Sequence, residues 1–173
     1  LAGCLCVLLA AGGGNTQTAG IDRGGIRTTA VGPVSGFGSV WLNGERYQTT
    51  DATIAVNGEP ATLSDLEVGQ VIVLTGSIDE SAGTRAAATI AYATSLAGPV
   101  TSIDTQAGTF TLLGREVRTG RTTVWGNQII PSSVAGLQPG DFVEVSGFDG
   151  AQATLLATRV ERDGNPVEQV LTG

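Results

Sequence analysis

The side chains that most often carry chemistry are scarce in this sequence. It has no histidine, and its two cysteines, Cys4 and Cys6, both lie in an apolar run at the start. The commonest general base and the usual zinc ligands are therefore missing from the rest of the sequence. Paired carboxylates can hydrolyse glycosides without histidine, but the sixteen carboxylates here are scattered through turns and outward strand positions. We expect no catalytic residue and no enzyme activity.

The acidic residues do not form a metal-binding pattern either. Asp79 and Glu80 lie in one predicted hairpin, Asp149 in the matching hairpin further along, and Asp104 in another turn. A calcium loop needs several oxygen ligands that converge from one segment, and no segment of the sequence has that spacing. The sequence also lacks a P-loop, a dinucleotide fingerprint and a nucleophile elbow. We therefore expect solvated turn carboxylates, no metal site and no cofactor.

Two aromatic residues, Trp41 and Tyr47, are the candidates for binding a ligand or a partner. If Val40 and Leu42 face a core, Trp41 faces outward, because side chains alternate across a strand. An outward indole is a platform on which a sugar or an unpaired base can stack. The alternative is that Trp41 packs against a neighbouring domain or a sheet edge, where aromatic residues are enriched.

The N-terminal segment is typical of an export signal. Leu1–Ala11 is almost wholly apolar, too short to span a bilayer as a helix, and followed by a polar glycine-rich stretch. Leu1-Ala2-Gly3-Cys4 resembles a lipobox, which makes Cys4 a candidate lipidation site. The alternative is a plain signal peptide cleaved near Ala11–Gly13. No initiator Met precedes the run, so we expect the reading frame to extend upstream.

The net charge and the predicted export together limit the classes of binding partner that we expect. Nine arginines, no lysine and sixteen carboxylates give a net charge of −7, and an acidic surface repels phosphate. We expect no nucleic acid partner. Other envelope proteins or glycans fit an exported protein, located in the periplasm or outer cell envelope. Membrane attachment is expected only through a lipid anchor on Cys4.

A repeated pattern organises the rest of the chain. Gly32-Pro33-Val34-Ser35 and Gly98-Pro99-Val100-Thr101 each open a segment that later carries a glycine-led apolar strand, Gly69–Gly76 in the first and Gly140–Gly147 in the second. A repeat of this length indicates tandem domains.

Turn and strand signals within each repeat predict an all-β fold. The pairs Asn43-Gly44 and Asn57-Gly58 favour two-residue hairpins, since both residues tolerate positive φ. Single helical turns are predicted at 62–66 and 132–137. Five or six short strands around one helical turn indicate two tandem small β-barrels of OB-like type, after the signal segment.

The domain boundaries follow from these signals. We predict a signal peptide remnant at 1–13, a linker at 14–31, one barrel at 32–97, a second at 98–163 and a further linker at 164–173. The chain ends in Leu171-Thr172-Gly173, which matches Leu96-Ala97-Gly98, so a third repeat is expected to start there.

The apolar positions of the strands predict the core. The residues expected to be buried in the first barrel are Val40, Leu42, Ile54, Val56, Leu66, Val71 and Val73. Those expected in the second are Phe110, Leu112, Trp125, Leu137, Phe142 and Val145.

The motifs resemble a known family. They are Gly32-Pro33-Val34, Gly36–Val40, Asp65-Leu66-x-Val68-Gly69-x-Val71, Val143–Gly147 and Ala157–Glu161. This pattern, over Ile21 to Glu161, is similar to the bacterial domain-of-unknown-function family numbered 5666. The resemblance implies repeated small β domains in exported, often lipid-anchored proteins, and it supplies no catalytic residue. We therefore expect a non-catalytic envelope protein with a structural or interaction role, or alternatively a carbohydrate- or oligosaccharide-binding module with an outward aromatic face.

Overall fold

The computed structural model describes residues 25–162, so the predicted signal segment and most of both predicted linkers lie outside the described residues. The described residues are strands, turns and short 3₁₀ turns, with no helix of seven residues or more, which confirms the all-β prediction. Among these residues, no helix has the length and apolar character needed to cross a membrane.

The first seven strands of the described residues form one curled sheet, here called the N-terminal sheet, in the spatial order β3-β2-β1-β6-β7-β4-β5. Its strands are β1 (Ile26–Gly36), β2 (Val40–Leu42), β3 (Glu45–Tyr47), β4 (Thr53–Val56), β5 (Glu59–Ala61), β6 (Val71–Asp79) and β7 (Thr84–Tyr92). Strand β1 begins inside the segment 14–31 that was predicted as a linker, because Ile26 already pairs with Ile78 of β6.

The next six strands form the C-terminal barrel, in the order β10-β9-β8-β12-β13-β11, and a parallel pairing of β10 with β13 closes five of them into a ring. Its strands are β8 (Leu96–Asp104), β9 (Thr109–Leu112), β10 (Arg115–Arg118), β11 (Val124–Trp125), β12 (Phe142–Asp149) and β13 (Leu155–Arg162).

The turns follow the residues that favour them. Asn43 (φ 53°) and Gly44 (φ 81°) join β2 to β3, and Asn57 (φ 51°) and Gly58 (φ 87°) join β4 to β5. Positive φ at both central positions is the two-residue turn that matches the twist of a hairpin. The 3₁₀ turns Leu63–Asp65 and Val134–Gly136 lie where single helical turns were predicted; a third, at Ala151–Ala153, was not predicted.

Each sheet encloses its own apolar cluster. In β2, Val40 and Leu42 are buried while Trp41 is 40% exposed, which confirms the predicted phase of this strand. The other predicted core residues that are buried are Ile54, Leu66, Phe110, Leu112, Leu137 and Val145. Val56 and Trp125 are only partly buried, although both pack against the clusters.

The predicted phase of β6 was wrong. Ile72 and Leu74 face the core with no exposed surface, whereas Val73 is 44% exposed and Val71 is half-buried. In β12 the same shift appears at one position, because Val143 is fully buried and Phe142 is only partly buried. Since side chains alternate across a strand, moving the inward set by one residue exchanges the two faces of β6.

Candidate functional site

Trp41 lies on the outer surface, as predicted. A bulge in β1 lies between Val34 and Gly36. Beyond it, Trp41 pairs with Gly36 on one side and with Arg46 of β3 on the other. A Cβ on Gly36 would lie 3.6 Å from the indole ring, so the ring lies over backbone that carries no side chain. Glu45 and Arg85 line the same shallow depression and form an ion pair at 3.0 Å. The depression therefore combines one aromatic face with charged hydrogen-bonding groups.

Tyr47 does not share this depression. It is only 5% exposed and belongs to the core cluster of the N-terminal sheet. The two-residue turn Asn43-Gly44 places Tyr47 directly opposite Val40, and residues that pair across two strands share a face. Because Val40 is in the core, Tyr47 must be there too. The interpretation of Tyr47 as a surface aromatic was therefore wrong.

Two of the turn carboxylates, Asp79 and Asp104, accept hydrogen bonds within their own turns, whereas Asp149 forms an ion pair with Arg115 of β10. Asp79 accepts hydrogen bonds from Ser81 and from the Ala82 N–H, and these bonds lower the pKa of its carboxyl. Asp104 accepts in the same way from the N–H groups of the two residues at positions 106 and 107. Among the described residues, no group of three or more His, Cys, Asp or Glu side chains could hold a metal ion. Cys4, the candidate lipidation site, lies outside the described residues.

The most buried polar cluster lies where the two domains meet. Arg159 of β13 is 9% exposed, and its guanidinium forms ion pairs with Glu67, in the loop before β6, and with Glu161 on its own strand. It also donates to the Val68 carbonyl at 3.0 Å. One buried cation therefore joins two carboxylates and a backbone oxygen across the domain boundary.

Tyr92 and Ser146 extend this cluster. The Val71 N–H donates to Ser146 Oγ at 2.7 Å, and the Tyr92 hydroxyl hydrogen-bonds the side chains of Thr94 and Ser146. Burial raises the pKa of Tyr92, the nearby charges of Glu144 and Glu161 raise it further, and the two hydrogen bonds lower it. The hydroxyl therefore forms a hydrogen-bonding link between the domains and keeps its proton to higher pH than a free tyrosine does.

Residues 97–161 match the model of a family described as Domain of unknown function (DUF5666). This segment covers the C-terminal barrel from β8 to β13. The C-terminal barrel belongs to the DUF5666 family. The match does not extend to residues 21–96, for which the resemblance stays a prediction. Neither the comparison with curated proteins nor the comparison with solved structures found a match.

The sequence reasoning missed the residues that join the DUF5666 barrel to the N-terminal sheet. Arg159 was noted only as part of a strand motif, and Glu67 and Tyr92 were not singled out. One signal was available: a charged residue in the middle of the apolar strand β13, where an outward charge needs a partner. The partner itself is 92 positions away in the sequence at Glu67, so the spacing alone could not identify it.

Proposed function

We propose that this chain is a non-catalytic, exported protein of the bacterial cell envelope with a structural or interaction role. The observation that carries the proposal is the joint between the two domains. Only residues 93–95 separate β7 from β8, and the Ser95 N–H already donates to the Val145 carbonyl at 3.0 Å. Such a short connection leaves little freedom for the two domains to move apart. A stiff pair of β domains suits a spacer or a presenting scaffold.

The chemistry of the joint supports the same role. A buried arginine that already contacts two carboxylates and a carbonyl oxygen has few donors left for a substrate. The polar groups of the joint stabilise the contact between the domains, and breaking a buried pair costs more than forming it gains.

The joint is tested by replacing Arg159 with alanine. We expect the wild-type chain to unfold in one cooperative thermal transition, and Arg159→Ala to separate it into two transitions or lower the first. Arg121→Ala is the matched control, because Arg121 is exposed. Two independent transitions already in the wild-type protein would contradict a stiff joint. Calorimetry and tryptophan fluorescence measure the transitions, because Trp41 lies in the N-terminal sheet and Trp125 in the C-terminal barrel.

Export rests on the sequence of Leu1–Ala11 and on Cys4. Mass spectrometry of protein made with its complete native leader in a bacterial host tests it. A diacylglyceryl group on Cys4 would support a lipid anchor, and cleavage near Ala11–Gly13 would support plain secretion. An intact N-terminus in the cytosolic fraction would refute export.

Glycan binding is the second candidate, and the exposed Trp41 favours it. The indole lies in an open depression beside Arg46, Glu45 and Arg85, and aromatic faces with nearby hydrogen-bonding groups suit sugar rings. The two tryptophans are distinguishable, since Trp125 packs against the core of the C-terminal barrel.

A fluorescence titration in the Trp125→Phe background reports on Trp41 alone. Cell-wall oligosaccharides are the probes, and we expect a saturable change in emission that Arg46→Ala weakens and that Arg121→Ala leaves unchanged. Emission that does not respond to any oligosaccharide would exclude this second candidate and leave the structural role in place.

A further inference from the structure

The joint between the domains consists of a loop on one side and a sheet face on the other. The loop is Glu67–Gln70, just before β6, and a Cβ on Gly69 within it would meet the Thr158 carbonyl at 2.9 Å and the Val124 side chain at 3.0 Å. The face is the outer surface of β11, β13 and β12, which carries Val124, Arg159 and Ser146. We call these the donor loop and the acceptor face.

The donor loop recurs in the C-terminal barrel at 138–141. Gly69 and Gly140 have φ of 92° and 95°, and their N–H groups donate to the Val34 and Val100 carbonyls, both at 2.8 Å. In each loop the N–H of the first residue also donates to the side chain of the fourth, at 2.8 Å in the first and 2.7 Å in the second. Two loops with the same bonds present the same backbone surface.

The acceptor face recurs in the N-terminal sheet. The β6–β7 pairing has a register shift between Thr75 and Gly76, and the β12–β13 pairing has one between Ser146 and Gly147. Aligning the two pairings on these shifts gives a residue-by-residue correspondence. Ser146 pairs with Arg159, and Thr75 pairs with Thr89. The positions equivalent to Val124, Glu144, Ser146, Arg159 and Glu161 are therefore Thr53, Val73, Thr75, Thr89 and Ala91.

This second pair of surfaces is open among the described residues. A Cβ on Gly140 would have no atom of residues 25–162 within 4 Å, in contrast to the covered Gly69. Thr53, Thr89 and Ala91 are exposed, and Val73 is 44% exposed although it lies in the middle of a sheet. Residues 25–162 thus show one donor loop and one acceptor face in contact with each other, and one of each with no such contact to another described residue.

The open surfaces lack charges that the covered surfaces carry at the equivalent positions. Where the joint has Arg159 facing Glu67, the open acceptor face has Thr89 and the open donor loop has Gln138. The two remaining carboxylates of the covered face, Glu144 and Glu161, correspond to Val73 and Ala91. The open face is uncharged, and the open loop has the neutral Gln138 where the covered loop has Glu67. The two surfaces are therefore complementary, because their contact would leave no buried charge without a partner at these positions.

We infer that the open acceptor face of the N-terminal sheet binds the open donor loop, residues 138–141, of a second copy of this chain. The contact is head-to-tail, so residues 25–162 of each copy offer one loop and one face to further copies, and assembly continues as a linear or helical array unless the rotation closes a ring. This inference rests on the proposed structural role, and it names the partner of that role.

Sedimentation of the full chain over a range of concentrations tests the assembly. We expect reversible association that Val73→Arg weakens by about tenfold or more, since an unpaired charge would be placed in the middle of the contact. Ile130→Arg is the matched control, because Ile130 is 80% exposed and belongs to neither surface. Thermal unfolding of each variant confirms that it is folded.

A complementary pair of charge substitutions tests whether these two surfaces contact each other. Thr89→Arg in one copy and Gln138→Glu in another recreate across the contact the pair that Arg159 and Glu67 form within the chain. We expect the mixture of these two variants to associate about threefold more tightly or better than either variant alone.

Three results would overturn the inference. The first is a monomer at every concentration. The second is association that Val73→Arg leaves unchanged, as contact through the apolar Leu1–Ala11 would give. The third is a cross-link within one copy from either open surface to residues outside 25–162. None of them affects the Arg159→Ala unfolding experiment, so the failure of this inference and the failure of the structural role are separate observations.

Discussion

The two domains share a strand order but close their sheets differently. In the C-terminal barrel, β10 and β13 pair through Val117 with Leu155 and through Arg118 with Leu156. In the N-terminal sheet, the matching strands β3 and β7 meet in a single bridge, in which Gln48 bonds the backbone of Arg85 and Ala87 at 2.9 and 2.8 Å.

We call the β10–β13 pairing and the β3–β7 bridge the seams of the two domains. The side chains at these seams explain why one sheet closes and the other does not. Leu155 is 1% exposed and fills the barrel where β10 meets β13, whereas the matching position in β7 holds Arg85, which forms a partly exposed ion pair with Glu45. Burial of a leucine side chain stabilises a fold by about 1.5–3 kcal/mol, and an exposed ion pair contributes about 0–1 kcal/mol. A closed seam therefore depends on an apolar residue that faces inward, and the N-terminal sheet is the part that should open first.

The largest expected effect comes from removing that residue. Leu155→Ala should destabilise the C-terminal barrel by about 2–5 kcal/mol, because it leaves a cavity beside Val117. Leu156→Ala is the control, since Leu156 is 46% exposed and should change the free energy of unfolding by less than about 0.5 kcal/mol. Urea unfolding measures both. Equal effects of the two variants would show that the seam is not closed by Leu155.

A pH dependence should distinguish the N-terminal sheet from the barrel. Tyr92 of β7 lies opposite Ile72, and the matching position in β13 is Arg162, opposite Val143. Because burial raises the pKa of Tyr92 in the folded chain, the folded state holds the proton more tightly than the unfolded state. The contribution of Tyr92 to stability should be constant below the unfolded pKa of about 10 and fall above it, by at most about 1.4 kcal/mol per pH unit.

Denaturant unfolding at pH values on both sides of 10 checks this expectation. Tyr92→Phe keeps the ring and removes the ionisable group, so it should flatten the part of the slope that belongs to this residue. An unchanged slope in Tyr92→Phe would mean that the hydroxyl ionises equally well in both states.

A smaller effect is expected at the seam of the N-terminal sheet. Arg85→Ala removes the pair with Glu45, whose side chains are 29% and 49% exposed, and should cost no more than about 1 kcal/mol. Hydrogen exchange at the amides of Gln48 and Ala87 should nevertheless become faster, because their two backbone hydrogen bonds form the bridge to β7 that this ion pair flanks. Slower exchange at these amides than at the β10–β13 seam of the wild-type protein would reverse the comparison of the two domains.

The smallest expected effect concerns the 3₁₀ turns. Asp65 accepts from the Thr62 hydroxyl and N–H at 2.7 and 2.8 Å, and these bonds lower the pKa of its carboxyl. The contribution of Asp65 is therefore present above its unfolded pKa near 4 and is lost as pH falls through the lower folded value. Asp65→Asn should remove this acid sensitivity, whereas Ser133→Ala, at the other turn, should leave it. NMR titration of the Asp65 carboxyl gives the folded pKa directly.

The sequence predicted the strands whose register a turn determines. Asn43-Gly44 permits one pairing of β2 with β3, so the inward positions of Val40 and Leu42 followed correctly. The same turn also determines the inward position of Tyr47, but the burial of Tyr47 was not predicted. Strand β6 begins as an unbroken apolar run, Val71–Leu74, in which no alternation separates the two faces, so its phase could not be read.

The joint between the domains was beyond sequence reasoning for a different reason. The contacts between the domains connect residues 50 or more positions apart, and Val71 and Ser146 are separated by 75. Such contacts depend on how two finished domains meet, and neither strand alternation nor turn residues carry that information.

The matching bulges have a consequence for recognising this architecture in other chains. A side chain on Gly76 would place its Cβ 2.1 Å from the Ala86 carbonyl oxygen, and one on Gly147 would place it 2.3 Å from the Leu156 oxygen. A backbone oxygen within a ladder cannot retreat without breaking its pairing, so only glycine fits at either position. Each of these glycines follows the positive-φ glycine of a donor loop, Gly69 or Gly140, by seven residues. Two glycines seven residues apart, one on each side of an apolar strand segment, are a more selective pattern for finding this architecture in other sequences than the identities of the strand residues.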